Sequence, residues 1–183
     1  MALKEWAAVS RAMEMGRQLV LLRKGGVSED SATGEFTIAH REFLLFPTYL
    51  HQNKQMLKPS DHEGYEPLGA EPTEVTLSGT AVVTDIVRVT ERGQIDRIDD
   101  EHVWTPPLID MRFNYRPENP LYLLVLRAYR LKEPVTIANT PAYAGCKSWV
   151  PLEQEVQTGG ALPVLDDVKF DVRRKGIMER LRA

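Results

Sequence analysis

The chain has 183 residues, 43% of them apolar, a single cysteine and a formal net charge of −3. No run approaches the roughly eighteen apolar residues of a membrane helix. Cys146 alone excludes an internal disulfide and the multi-cysteine zinc patterns. The first residues, Met-Ala-Leu-Lys-Glu-Trp, lack the layout of a secretory signal, so a cytoplasmic protein with no membrane contact is expected. Residues 60–101 hold 3 Lys/Arg against 11 Asp/Glu, while the flanking stretches are slightly basic. That balance allows phosphate contacts but falls short of the footprint of a non-specific nucleic-acid binder.

Leu3, Trp6, Ala7, Ser10 and Met13 fall at helical spacing, and Gly16 sits where a glycine ends a helix, which predicts a helix over 2–15. A short strand is expected over 18–22, then a polar loop opened by Gly25-Gly26. Residues 42–46 read as a strand stopped by Pro47, and Thr48 as the cap of a short helix reaching Lys58. An acidic Pro/Gly-rich loop covers 59–74 within one domain spanning 1–183. A β-branched strand follows over 79–90, then a hairpin turn at Arg92-Gly93 with a return strand over 94–98.

Thr105-Pro106 starts a short helix, ending before Pro117, with Leu108, Met111 and Tyr115 sharing a face. The run 121–131 is apolar on both faces, as a doubly covered central strand requires. A strand over 145–150 and a helix over 166–182, with Phe170, Ile177 and Leu181 inward, complete the chain. Together these predict an α+β fold, mainly antiparallel, with a partly closed, barrel-like sheet and amphipathic helices at the N- and C-termini.

Arg23-Lys24-Gly25-Gly26 sets two cations before flexible amides, a turn able to form a backbone nest for an anion, although a plain solvent turn fits equally. It lacks the order of a phosphate-binding P-loop. His40-Arg41-Glu42 and His51 combine groups suited to proton transfer. No nucleophile stands in a recognisable context, and no third ligand accompanies the two histidines, so neither a metal nor a cofactor is expected. Arg127 and Asp85 interrupt apolar strand faces and need partners; their mutual pairing is expected, the alternative being that Arg127 meets an anion. Trp104, Arg112, Tyr115 and Arg116, with Lys147 further on, interleave aromatic and basic groups as base stacking beside a phosphate requires. Trp6 and Trp149 read as core.

The order of several segments resembles the family catalogued as domain of unknown function 1802. These are Ala2-Leu3-Lys4-Glu5-Trp6-Ala7, the Leu21-to-Gly26 run, His40 to Pro47-Thr48-Tyr49 with His51-Gln52, Trp104, Pro120-Leu121-Tyr122 to Arg127, and Gly145-Cys146-Lys147-Ser148-Trp149-Val150. That family has no established activity. The gene or domain context of some members resembles that of restriction-type endonucleases, which implies an accessory part in restriction-modification.

The leading expectation is a domain that binds an anionic ligand such as nucleic acid or nucleotide through Arg23, Lys24, Gly25, Gly26, His40, Arg41, Glu42, His51, Trp104, Arg112 and Lys147. One alternative is a small phosphoester hydrolase with His40 and Glu42 as acid and base, and Arg23 and Arg41 on the phosphate. A structural domain, with self-association left open, is the other.

Overall fold

The computed structural model describes residues 1–25, 27–29, 36–62, 65, 70–145 and 147–183; Gly26, Cys146 and parts of the two predicted polar loops lie outside the described residues. Ala2–Trp6 forms a strand, β1, and the first helix, α1, is confined to Ala7–Glu14, which corrects the helix expected over 2–15. The cause is tertiary. β1 lies parallel to β5 (Glu42–Thr48), with Leu3 opposite Leu45, and on its other side pairs antiparallel with β8 (Trp149–Val150). Ladders on both edges outweigh a helical spacing of apolar residues, and Ala2 and Leu3 are buried on opposite faces as a covered strand requires. α1 ends at Gly16, whose φ of +70° and close approach to Leu165 leave no room for a side chain.

β2 (Val20–Arg23) precedes a small hairpin of β3 (Val27–Glu29) and β4 (Phe36–Ile38). β5 runs through Pro47, which is tolerated because β5 pairs with β6 only over Glu42–Leu44 and has one unpaired edge beyond. Thr48 lies in the ladder opposite Trp6, so it cannot cap a helix; only a 3₁₀ turn at Lys54–Met56 forms there, capped by Asn53.

β6 (Glu74–Val89) and β7 (Leu121–Ala138) make a long antiparallel ribbon, and Leu121 to Leu126 are all buried. A bulge at Thr84 adds one residue to β6, between the Val83–Leu126 and Asp85–Val125 pairs. The expected return strand over 94–98 is instead a helical turn, α2 (Gly93–Asp96). Ile95 and Ile98, three apart, are both fully buried, and the Gln94 side chain accepts the backbone N–H groups of Thr90 and Glu91. α3 (Pro106–Asn114) starts after Thr105 as expected; it buries Leu108 and Ile109, while Met111 and Tyr115 stand exposed.

β9 (Leu162–Pro163) pairs with β7, and α4 (Asp167–Arg182) follows a side-chain cap from Asp166 to the Lys169 N–H. α4 buries Phe170, Ile177 and Leu181 while Val168 and Val172 stand exposed, so its apolar residues are not gathered on one face as expected. Four arginines around this helix meet carboxylates. Arg127 pairs with Asp167, Arg174 grips Asp85 through two 2.5 Å bonds, and Arg173 and Arg180 share the buried Glu101 at 2.6 and 3.0 Å. Arg127 and Asp85 are thus each paired, but to α4 and not to one another.

The seven-stranded sheet runs β2-β7-β6-β5-β1-β8 with β9 beside β7, mainly antiparallel, and it is open: no ladder joins β2 to β8 or β1. The barrel-like closure expected is therefore absent. The sheet nevertheless curls until the end of β2 approaches β1, where Arg23 Nη2 donates to Glu5 Oε2 at 3.1 Å. A side chain, not a ladder, bridges the gap. No helix among the described residues is long and apolar enough to cross a membrane.

Candidate anion-binding cleft

At that gap lies a cleft of about 900 Å³. Its floor is Arg23, Glu5 and Trp6; one wall is the exposed side of α3 with Met111, Arg112 and Tyr115. The loop after β5 supplies Leu50 and His51, and residues 139–141 and 143–145 form the far wall with Lys147 and Ser148. Lys4 ties that far wall to β1, since its ammonium donates to the Tyr143 and Gly145 carbonyls at 2.6 and 3.1 Å.

The Arg23 side chain is only 14% exposed. Its Nε has no partner among the described residues, and Glu5 is its single carboxylate. Burial pulls the guanidinium below its ordinary range; the Glu5 carboxylate opposes the fall, and the nearby Arg112 charge adds to it. Glu5 is itself divided, since its second oxygen accepts the Trp6 N–H at 2.9 Å. The side chains of Arg112, His51 and Lys147 make no hydrogen bond or ion pair among the described residues. The other carboxylate, Glu71, is occupied by the backbone N–H groups of Tyr49 and Leu50 at 3.1 and 3.2 Å. Four permanent cations therefore face two engaged carboxylates, with Leu50, Met111 and Tyr115 exposed at 42, 47 and 55% around the mouth. Chemically, the hollow offers unmet positive charge at depth and flat or apolar surface at the rim.

A family described as a domain of unknown function, DUF1802, matches residues 2–176. The chain belongs to the DUF1802 family. The match spans every cleft residue from Lys4 to Ser148. No curated protein matches the chain significantly. Two solved structures are similar to it. The crystal structure of ASCH from Zymomonas mobilis is 13% identical with a TM-score of 0.42, over 69% of this chain and 65% of that one, just under two thirds of its length. The ZmASCH S128A mutant protein from Zymomonas mobilis is 12% identical with a TM-score of 0.46, over 95% of this chain and 93% of that one.

Of the residues expected from the DUF1802 sequence to bind ligand, Arg23, His51, Arg112 and Lys147 meet in the cleft. The others are placed elsewhere. Lys24 turns to the end of α3, donating to the Phe113 and Arg116 carbonyls at 2.8 and 3.1 Å. Gly25 occupies an open turn with φ +96°, and Gly26 is outside the described residues. His40 packs edge-on against Trp149, at 5.1 Å between ring centres. Arg41 is exposed, and Glu42 lines a separate hollow with Gln154 and Glu155. Trp104 is core, stacked on His102 at 5.1 Å. The convergence of His40, Arg41, Glu42 and Arg23 required by the hydrolase scheme is thus absent.

Lys4 and Glu5 are cleft residues that the sequence did not single out, because they lay inside a predicted helix; only pairing with residues 42–48 and 149–150 reveals their place. Among the described residues, no three His, Cys, Asp or Glu side chains are grouped to hold a metal.

Proposed function

We propose that this DUF1802 chain is a binding domain for nucleotides or single-stranded nucleic acid, whose phosphates it holds in the cleft. The observation that carries this reading is Arg23, buried at the floor beside a second guanidinium with too little negative charge to balance the two. A buried unbalanced cation costs several kcal/mol, and a phosphate oxyanion between the two guanidinium forks would remove that cost. The volume suits a group of nucleotide size, and Trp6 and Tyr115, the latter with the Arg116 guanidinium 5.2 Å from its ring centre, line it as aromatic surface for a base. An accessory part in restriction-modification would use this cleft to hold nucleic acid for a separate nuclease.

Titration of a fluorescent single-stranded oligonucleotide at low and physiological salt tests the proposal. Affinity is expected to fall on a log–log plot with a slope of about −1.5 to −2, corresponding to two or three phosphates. Arg112→Glu combined with Lys147→Glu should weaken binding by more than ~10-fold with an unchanged unfolding midpoint. Absence of binding at low salt overturns the proposal.

A further inference from the structure

We infer that the cleft captures a strand by its phosphorylated end: the ligand group seated on Arg23 is a terminal phosphomonoester and not an internal phosphodiester. This rests on the reading of the cleft as a phosphate site and adds to it which phosphate is held.

The first argument is steric. An internal phosphodiester carries a sugar on both sides, so its chain must enter and leave. The inner end of the cleft is closed, so both sugars flanking an internal phosphodiester would have to crowd out through its open side. Glu5, Trp6 and Arg112 are shared with a void of only about 10 Å³ immediately behind, whose remaining walls are Leu22, Trp104 and Leu108. Those three are core side chains, buried at 5, 4 and 1% exposure. The void has room for about one water molecule and no continuing backbone. A terminal phosphate needs only one way out, towards the rim where Leu50, Met111 and Tyr115 stand exposed.

The second argument is electrostatic. Lys4, Arg23, Arg112 and Lys147 outnumber Glu5 and Glu71 by two charges. A phosphodiester brings one negative charge, whereas a phosphomonoester brings about −1.5 to −2 at neutral pH and three free oxygens. The part of the Arg23 guanidinium that reaches the cleft, the unpaired Arg112 fork and the Lys147 ammonium are the donors available to those oxygens.

The test compares single-stranded oligonucleotides of one sequence in four forms: 5′-phosphorylated, 3′-phosphorylated, hydroxyl at both ends, and covalently circularised. Fluorescence anisotropy should show a phosphorylated form binding at least ~10-fold tighter than the hydroxyl and circular forms, as charge-assisted hydrogen bonds to the extra charge require. Which phosphorylated arm is preferred identifies the end. The advantage should grow as pH rises through about 6, where the monoester takes its second charge. It should disappear in Arg23→Gln, and in Arg112→Gln, a helix-surface change that serves if the first variant fails to fold. Equal binding of all four forms overturns the inference and leaves the phosphate reading intact; binding of none removes both.

Discussion

The face covered by α4 and the cleft beside β1 are both rich in arginine, yet they differ in what the fold supplies to meet it. Around α4, Arg127, Arg173, Arg174 and Arg180 each find a carboxylate, and Glu101 serves two of them. In the cleft, Arg23 shares one divided carboxylate, while Arg112 and Lys147 have none among the described residues. Residue type does not separate the two regions. The absent counter-charge does, because a cation already paired gains little from a ligand and a cation left unbalanced gains much.

Breaking the α4 side should give the largest effect. Glu101→Ala removes a buried carboxylate from Arg173 and Arg180 and is expected to cost about 4 kcal/mol in urea unfolding. Oligonucleotide affinity of the folded fraction should be unchanged; an equal loss of binding would erase the distinction between the two regions. Next comes His102, a buried ring near the same face. Burial, helped by the Lys58 charge, pushes it from 6.5 down to about 4. The unfolded chain therefore binds the proton more readily, so stability is complete above about pH 6.5 and is lost as pH falls to about 4. The loss amounts to about 3 kcal/mol, and His102→Leu should flatten that part of the acid profile.

The smallest effect sharpens the contrast. Lys24 sits outside the cleft but satisfies carbonyls at the end of α3, the helix that carries Arg112 and Tyr115. Lys24→Met should cost about 1 kcal/mol of stability and weaken oligonucleotide binding a few-fold through misplaced wall residues. Arg112→Lys in the same background should then lose less than it does alone.

What was legible in the sequence had local causes. β7 follows from an unbroken apolar run, α3 from Thr105-Pro106, and α4 from Phe170, Ile177 and Leu181 at helical spacing. Arg23 was recognisable beside a glycine turn, His51 as a proton-transfer group, and Arg112 and Lys147 as cations among aromatics, and the fold does bring those four together. What was misread depended on distant partners. Leu3 and Trp6 have helical spacing, but the strands on either side of them decide their conformation. Ile95 and Ile98 also have helical spacing, which the turn-like Arg92-Gly93 pair obscured. Leu108, Met111 and Tyr115 share a helical face by spacing, yet only Leu108 is buried, because periodicity cannot say which side of a short helix meets the core and which meets the cleft.

The placement of β1 also bears on how the protein acquires its competence. Lys4 and Glu5 ride on a strand whose partner on one side, residues 149–150, lies some 146 to 148 residues along the chain, whereas β6 and β7 pair with one another across only 32 to 64 residues. Closing such distant contacts costs more loop entropy and slows their formation. During refolding, far-ultraviolet ellipticity should accordingly recover ahead of affinity for oligonucleotide. The recognition surface would be the last part of the molecule to mature.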